Sequence, residues 1–227
     1  MPPRSKIVPP QSPASYEPRW RRLPEERPRQ IVEAALEVFG ERGLANARLE
    51  DIAARAGVSK GTIYLYFANK EELFREVIRS TMIANLERGE AVGPRASAIE
   101  HLDVVLTGWW QFARSRTFER IFRLVMGELH DFPDLAEFYS KEVITRGQRL
   151  FTRIVEQGIA SGEFGNVDPK VAARMLVGTV ISHAVWCSKS HIFTHVAGLS
   201  DAEVLAQIRS FFLSALRPAS GARTATS

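Results

Sequence analysis

Cysteine and long apolar runs are scarce in this chain of 227 residues. A single cysteine, Cys187, cannot form an intrachain disulfide, which excludes a disulfide-stapled secreted scaffold and fits a reducing compartment. The first ten residues, MPPRSKIVPP, lack the apolar segment of a signal peptide. The most apolar stretch, 171–187, is interrupted by Arg174 and His183, whereas a membrane span needs roughly 18 or more apolar residues. These absences predict a cytoplasmic protein with no membrane partner.

Catalytic and metal-binding signatures are also missing. The sequence contains no nucleophile elbow, no phosphate-binding glycine loop and no cluster of metal ligands. His191 and His195 lie four residues apart, but in a loop-like stretch without an adjacent acidic or cysteine partner, so we interpret them as solvated histidines. Cys187, beside Trp186, is either an oxidation-sensing thiol or a small core residue. We predict no enzyme activity, no metal and no cofactor.

Proline is concentrated in residues 1–24. This density of proline blocks helix and strand, and the segment offers little apolar surface, so we predict a disordered arm. Residues 1–30 hold seven Lys or Arg against three Asp or Glu, so the whole net charge of +4 lies at this end. The basic arm either attracts phosphate groups or only keeps the chain soluble. Trp20, its large apolar side chain, either docks on the folded part or makes no contact there.

Residues 48–74, RLEDIAARAGVSKGTIYLYFANKEELF, predict two short helices, a tight turn between them and the start of a third helix. Leu49, Ile52, Ala53 and Ala56 give the first helix one apolar face. Gly57 accepts the left-handed backbone that ends this helix. Ser59 can then cap the second helix, about 60–67, through its hydroxyl.

The second of these short helices has one inward face. Ile63 and Phe67 lie four residues apart and point inward, which leaves a Lys, a Thr and two Tyr on the other faces. Two short helices joined by a glycine turn, the second carrying such side chains, are typical of a DNA-reading helix-turn-helix. Asn69 and Glu72 form a capping box for a helix over 70–88, which Gly89, Gly93 and Pro94 are expected to break.

A longer helix, about 26–42, precedes this motif. Its core stripe recurs at helical spacing and consists of Ile31, Ala34, Ala35, Val38 and Phe39. Gly43 is expected to end the helix, and the short link 44–47 makes it pack directly on the helix-turn-helix.

The stretch from about 27 to 74 resembles the DNA-binding domain of the TetR family of bacterial transcriptional regulators, including its AcrR-like members. The residues that carry the resemblance are Ile31, Ala34, Ala35, Phe39, Gly43, Leu49, Asp51, Ile52, Ala53, Ala56, Gly57, Val58, Ser59, Lys60, Gly61, Thr62, Ile63, Tyr64, Tyr66, Phe67, Lys70, Glu71, Leu73 and Phe74. The resemblance implies an all-α fold: a three-helix DNA-binding domain with its connecting helix over 25–88, then a helical effector-binding and dimerisation domain over 94–217. Residues 218–227 are predicted to be a frayed tail.

The resemblance places the second motif helix in the major groove, with its N-terminal residues at base edges. Gly61 allows a close backbone approach, Thr62 and Tyr64 can bind bases or phosphates, and the remaining polar residues suit phosphates. The expected DNA-binding set is Arg48, Ser59, Lys60, Gly61, Thr62, Tyr64, Leu65, Tyr66 and Lys70. Where the family commonly has a Thr or Ser cap, this chain has Asn46-Ala47-Arg48. Asn46 is the candidate replacement for that cap, and Arg48 is either a DNA contact or a solvated surface charge.

Beyond residue 94 the sequence shows no strand signal and no internal repeat. Helices are predicted at 95–114, 117–129, 133–161, 168–189 and 200–217, cut by Gly and Pro. Ser97 with Glu100 and Ser200 with Glu203 are capping boxes, and Asp168 caps a helix that begins with Pro169.

The last two helices carry apolar stripes that suit pairing with a second copy of the chain, as the resemblance implies. The expected dimer interface is Met175, Gly178, Ile181, Ser182, Val185, Leu205, Ile208 and Phe212. The alternative is that both stripes are internal core. The expected effector pocket consists of large side chains in the helices that enclose the ligand in the family. These side chains are Trp109, Trp110, Phe112, Phe122, Met126, Phe138, Tyr139, His183 and Trp186. The alternative is that these residues, most of them aromatic and at helical spacing, belong to the ordinary core.

The sequence therefore predicts a TetR-like transcriptional regulator, a repressor that binds a palindromic DNA operator as a homodimer and is released by a small hydrophobic or aromatic effector. One alternative is an effector-independent architectural or cell-division protein of the same fold. A second alternative, an enzyme with an incidental helix-turn-helix, has no supporting signature.

Overall fold

The computed structural model describes residues 26–93 and 97–218. These residues form helices joined by short connections, with no strand among them, as the sequence predicts. The arm over 1–24, its Trp20, and the tail except Pro218 lie outside the described residues.

Three helices form the first bundle: α1 (Glu26–Asn46), α2 (Leu49–Ala56) and α3 (Lys60–Tyr64). Their shared core is fully buried and contains Ile31, Phe39, Ile52 and Ile63. The predicted apolar stripes therefore point inward, and the burial of these side chains is the main stabilising contribution to so small a bundle. Gly43 takes left-handed φ at 80° and kinks α1 where the sequence predicts its end.

A continuous helical rod leads away from this bundle. It consists of α4 (Lys70–Ile78), a π-helical turn (Arg79–Ile83) and α5 (Ala84–Ala91). Of the residues expected to break this helix, Gly89 lies within the rod, which ends at Ala91 just before Gly93, where φ is positive at 66°. A Cβ at Gly89 would lie 3.0 Å from Leu150 Cδ2, so this glycine serves close helix packing.

The second bundle contains α6 (Ala98–Ala113), α7 (Arg116–Glu128), α8 (Pro133–Tyr139), α9 (Arg146–Ala160), α10 (Pro169–Ser188) and α11 (Asp201–Ala215). A 3₁₀ turn, Leu129–Asp131, follows α7, a π-helical turn, Ser140–Thr145, joins α8 to α9, and a 3₁₀ turn, Thr194–Val196, precedes α11. These bounds agree closely with the helices expected from the sequence. One continuous hydrophobic core extends from Ile31 in α1 to Leu216 after α11, so the two bundles share it.

Side-chain caps fix several helix starts in the second bundle. The Ser200–Glu203 capping box has both of its bonds, and the Asp168 carboxylate accepts from the amides of Lys170 and Val171. At α6, Ser97 is joined by Glu163 from the α9–α10 connection, whose carboxylate accepts from Ala98 N at 2.9 Å. The Ser97 Oγ accepts from the amides of Ile99 and Glu100, which is one half of the predicted capping box, and Glu163 rather than Glu100 supplies the carboxylate at this helix start.

Helix α10 is unusually apolar for an exposed helix. Among the described residues it alone is long and apolar enough to cross a membrane by length and composition, with a mean hydropathy of 1.3 and only 22% of that window buried. The expectation that Arg174 and His183 exclude such a window is wrong. An apolar helix side that is exposed to water is typical of a surface that another partner covers.

Candidate nucleic-acid interface

The turn between α2 and α3 is held rigidly by two residues. Gly57 adopts φ 66° and ψ 33°, and its amide donates to the carbonyls of Ala53 and Ala54, which closes the end of α2. Ser59 is extended, and its Oγ accepts from Thr62 N at 3.1 Å. A hydrogen bond of 2.8 Å also joins the Ser59 and Thr62 hydroxyls. The predicted glycine turn and serine cap are both confirmed.

Helix α3 is anchored on one side only. Ile63 is 0% exposed, and Phe67 just beyond the helix is buried as well. The opposite side carries Tyr64, Leu65 and Tyr66, of which Leu65 is 81% exposed. Large apolar and aromatic groups on an exposed side, around a buried anchor, indicate a contact surface rather than core.

Gly61 lies at the exposed start of α3. A Cβ at this position would meet only Ser59 Oγ, at an ordinary 3.8 Å, and the residue does not have positive φ. Glycine is a poor helix former, so the chain itself gives no reason for it here. A partner whose backbone approaches α3 closely would supply one.

Two cations border this surface. Lys60 forms an ion pair with Glu50, which raises the lysine pKa through the hydrogen bond between them, and its Nζ lies 5.9 Å from the centre of the Tyr64 ring. Arg48 is exposed at the start of α2 and has extended backbone without a side-chain cap. Asn46 does not cap α2 either, because its amide donates to Arg42 O at 3.4 Å.

Lys70 does not extend towards solvent as the sequence suggested. Its ammonium donates to the carbonyls of Leu44 at 2.9 Å and Ala45 at 2.8 Å, and so caps the end of α1. The free carbonyls at a helix end attract a cation, which explains this arrangement. Its expected role as a free phosphate ligand therefore needs correction.

A cleft in the second bundle lies between α5, α6 and α9 and has a volume of about 490 Å³. Its wall is mainly apolar, and its polar side chains come only from α5 and α6. The lining residues are Asn85, Leu86, Arg88, Gly89, Val92, Val104, Val105, Gly108, Trp109, Gln111, Phe112, Leu150 and Phe151. The indole Nε1 of Trp109 is buried without a hydrogen-bond partner among the described residues. The volume of this cleft, its apolar wall and its few polar groups are typical of a small-molecule site.

Comparison with known families covers both bundles. Residues 31–77 match the family described as bacterial regulatory proteins, tetR family. Residues 100–215 match the AefR-like transcriptional repressor C-terminal domain, also a TetR-type domain. The chain belongs to the TetR family of bacterial regulatory proteins. It is accordingly a transcriptional regulator built on a DNA-binding fold.

Individual TetR relatives agree with this assignment. The fatty acid metabolism regulator protein of Bacillus subtilis is 30% identical over 165 residues, which covers 70% of this chain and 82% of that protein. The structure of FadR from Bacillus subtilis in complex with stearoyl-CoA has a TM-score of 0.67 at 25% identity, covering 83% and 99% of the two chains. The SmeT–triclosan complex, at 20% identity, has a TM-score of 0.71, covers 86% and 93%, and shows the shared fold.

The structure divides the expected effector residues of this TetR chain among several places. Trp109 and Phe112 line the cleft, whereas Phe122 lines a separate depression of about 200 Å³ between α7 and α10. Met126 is 67% exposed on α7, and Trp110 is buried beside Arg114. These side chains therefore do not form one pocket.

The remaining expected pocket residues lie elsewhere in the second bundle. Phe138 packs on the Arg79 guanidinium, 5.4 Å from its ring centre, and Tyr139 is buried core, where burial raises its phenol pKa. The rings of His183 and Trp186 lie 4.8 Å apart in a tilted arrangement near the end of α10. None of these four lines the cleft. Helical spacing alone could not separate cleft from core, and it gave no sign of the polar wall residues Arg88 and Gln111.

The residues expected in the dimer interface differ in how exposed they are. Met175 is 58% exposed and Gly178 is exposed, whereas Ile181, Ser182, Val185 and Leu205 are half-buried. Ile208 and Phe212 are buried within the chain, so their assignment to an interface is wrong. The exposed apolar residue of α11 is instead their neighbour Phe211, at 67%.

A contact between the two bundles was not expected from the sequence. Glu128, at the end of α7, accepts from Ala45 N at 3.0 Å across 83 residues of chain. Gly43 makes room for it, since a Cβ there would overlap the Glu128 carboxylate. Gly40 likewise admits the Arg120 side chain at 3.1 Å. Helix α7 is thus packed against the segment that leads into the helix-turn-helix.

The cysteine and the metal-ligating side chains of the described residues do not form a second functional site. Cys187 is partly buried, and burial raises the pKa of its thiol, which disfavours the reactive thiolate. Over residues 26–93 and 97–218, no three His, Cys, Asp or Glu side chains converge as a metal site would need.

Proposed function

We propose that this chain is a repressor that binds a palindromic operator as a homodimer and is released by an effector with a long apolar chain. The observation that carries the DNA-binding part is the outward side of α3. Ile63 fixes the helix from within, while Gly61 and the exposed Tyr64 contribute nothing to the core. Thr62 and Tyr64 would contact bases, and Lys60, Arg48 and Tyr66 would contact phosphates.

A homodimer follows from the exposed side of α10. One helix-turn-helix reads few base pairs, and dimers of such proteins bind two half-sites a helical turn or more apart. Val171, Met175 and Gly178 recur along the exposed side of α10, with Phe211 on α11 beyond them. An apolar side of this length needs covering, and a second copy would cover it by a two-fold contact that buries the same residues twice. The half-buried Ile181, Ser182, Val185 and Leu205 would border that contact.

The effector proposal rests on the cleft between α5, α6 and α9. Its apolar wall suits an alkyl chain, and Arg88 and Gln111 suit a polar or anionic head group. The Trp109 indole N–H is buried without a partner among the described residues, so its side chain would have to turn into the cleft to donate to a carbonyl oxygen of the ligand. A relative described as a fatty acid metabolism regulator, and a solved FadR complex with stearoyl-CoA, support a fatty acyl thioester as the class to test.

Release needs a difference in affinity between two states of the protein. The effector must bind the DNA-incompetent form more tightly, or the operator equilibrium does not shift. The cleft adjoins α5, which continues through the π-helical turn into α4 and the helix-turn-helix. Filling the cleft would thus displace the rod and change the spacing of the two reading helices. Such a regulator would act in the cytoplasm, where the operator lies.

The test uses a duplex selected from a random library by the purified protein. Fluorescence anisotropy would measure operator affinity with stearoyl-CoA, with coenzyme A alone and without either. We expect stearoyl-CoA alone to weaken binding. Gly108→Leu should bind the operator but lose the response, because a Cβ at Gly108 has open space and the side chain would fill the cleft. Gly127→Leu, on the exposed side of α7, is the matched control and should respond normally.

Two outcomes would contradict parts of this proposal. If the protein bound the selected and the random duplexes with equal affinity, and this affinity fell steeply with salt, the result would indicate the effector-independent architectural protein instead. Equal responses of Gly108→Leu and the unsubstituted protein would refute the cleft as the effector site while leaving operator recognition intact.

A further inference from the structure

A second groove lies on the outer side of the second bundle, between α9 and the first turns of α10. It has a volume of about 560 Å³ and is lined by Ile144, Thr145, Gln148, Arg149, Thr152, Arg153, Glu156, Lys170 and Arg174. The lining residues of α9 recur at intervals of three and four, so they share one side of the helix. Leu150 and Phe151 line the effector cleft instead, so the two sites are distinct.

The groove collects positive charge without neutralising it. Arg149, Arg153, Lys170 and Arg174 are exposed and line it, against one carboxylate, Glu156. In the described part of the chain none of these cations forms an ion pair. Each helix also places its two cations four residues apart, where like charges repel and destabilise a helix.

Some other cations of the same bundle form ion pairs. Arg146, which begins α9, binds the Glu90 carboxylate at 2.6 Å, and Lys189 at the end of α10 binds Glu119 at 3.0 Å. Arg209 on α11 likewise binds Asp103 at 2.8 Å. Arg116 and Arg123 of α7 also form no ion pair within the described residues, so what sets the cations of α9 and α10 apart is that four of them line one groove.

Both threonine hydroxyls of the groove already donate to backbone carbonyls, so the cations and the Gln148 amide remain as donors. The Thr152 hydroxyl donates to Gln148 O at 2.7 Å, and that of Thr145 donates to Ser140 O at 2.9 Å. Arginine forks bind phosphate oxygens in pairs, and lysine binds them as a point charge. Cations on both helices suit a ligand with more than one phosphate, because separate phosphate groups can then bind to each wall.

We propose that this groove binds an organic anion carrying several phosphate groups, of the chemistry of a nucleoside triphosphate. Its volume is that of a small-molecule site, and two helices bound it, which favours a compact ligand over a macromolecule. Arg174 immediately precedes Met175 of the proposed dimer surface, so an occupied groove lies at the edge of that surface. The proposal is independent of the nature of the effector in the apolar cleft.

Isothermal titration of the full-length protein with ATP, and separately with inorganic tripolyphosphate, tests this site. Titrations would use protein saturated with operator, so that the DNA-reading surface is already occupied. We expect saturable binding that Arg149→Ala/Arg153→Ala weakens at least tenfold. Arg116→Ala/Arg123→Ala removes the same charge from exposed positions of α7 and should leave binding unchanged. Binding of ATP but not tripolyphosphate would assign the nucleoside a role; binding of both would identify the phosphates as the ligand.

Three results would overturn the proposal. One is the absence of saturable binding by either anion. Another is an equal loss in the α9 and α7 double variants, which would mean attraction by net charge alone. The third is a weakened dimer in Arg149→Ala/Arg153→Ala without any anion binding by the unsubstituted protein, because the groove would then face a second copy of the chain.

Discussion

Replacing Gly61 with alanine should stabilise the protein and damage its DNA binding. The added methyl group would lie 3.8 Å from Ser59 Oγ with no other neighbour within 4 Å, and no positive φ opposes it. Alanine favours a helix over glycine by roughly 0.5–1 kcal/mol, and the lower figure applies near a helix start. At about 2–4 °C per kcal/mol for a chain of this size, Tm should rise by about 1–2 °C.

The same methyl group would face the DNA in the proposed complex. Overpacking a close contact costs roughly 1–3 kcal/mol. A dimer presents the group twice, so the expected loss is about 2–6 kcal/mol, or at least about 30-fold in operator affinity. The two measured quantities should thus change in opposite directions, which unfolding of the variant cannot produce.

Anisotropy on the selected duplex and a thermal melt provide the two measurements. Gly127→Ala is the matched control: Gly127 is exposed within α7, and a methyl group added there would have no neighbour within 4 Å. This control should show a similar small gain in Tm and unchanged operator affinity. If Gly61→Ala kept the affinity of the unsubstituted protein, the assignment of this side of α3 to close contact with DNA would be refuted.

Contacts elsewhere in the chain give three further predictions. Glu128→Ala removes the carboxylate that accepts from Ala45 N, so a thermal melt should show a free energy of unfolding lower by about 1 kcal/mol. Glu137→Ala, at an exposed position of α8, should leave the free energy of unfolding unchanged. Met175→Glu places a charge on the proposed interface, so light scattering should show monomers. Met126→Glu changes a similarly exposed methionine on α7 and should leave the dimer intact. Hydrogen bonds from Ser97, Ala98 and Ser161 lower the pKa of Glu163 to about 2. Its contribution to stability is therefore complete above about pH 4.5 and disappears towards pH 2, and Glu163→Gln should flatten the dependence of Tm on pH over that range.

Local signals in the sequence predicted the helices and their ends well. Gly57, Ser59, Asp168 and Ser200 each act within about four residues of their own position, through a left-handed backbone or a side-chain cap. Such signals depend on chemistry that nearby residues supply, so they can be recognised without knowing the fold. The inner side of α3 was predictable for the same reason, since the spacing of Ile63 and Phe67 defines it and both are buried.

Predictions failed where a residue's role depends on distant partners. Gly89 signals a helix break by its propensity, but Leu150 of α9 makes it a packing position. The sequence suggests Lys70 as a phosphate ligand, but the carbonyls at the end of α1 take its ammonium. In both cases the deciding atoms lie far away in sequence, and only their approach in space reveals the choice.

The sequence by itself determined the helical fold, the helix-turn-helix and the apolar character of α10 and α11, because spacing, caps and glycine positions are local properties. Only the tertiary structure decided which side of those helices remains exposed. Periodicity identifies Ile208, Phe211 and Phe212 as apolar, but the packing of α11 buries the first and last and leaves Phe211 outside. It also decided that Glu128 contacts Ala45 and that Trp109, not Trp110, lines the cleft, since these depend on how whole helices pack against one another.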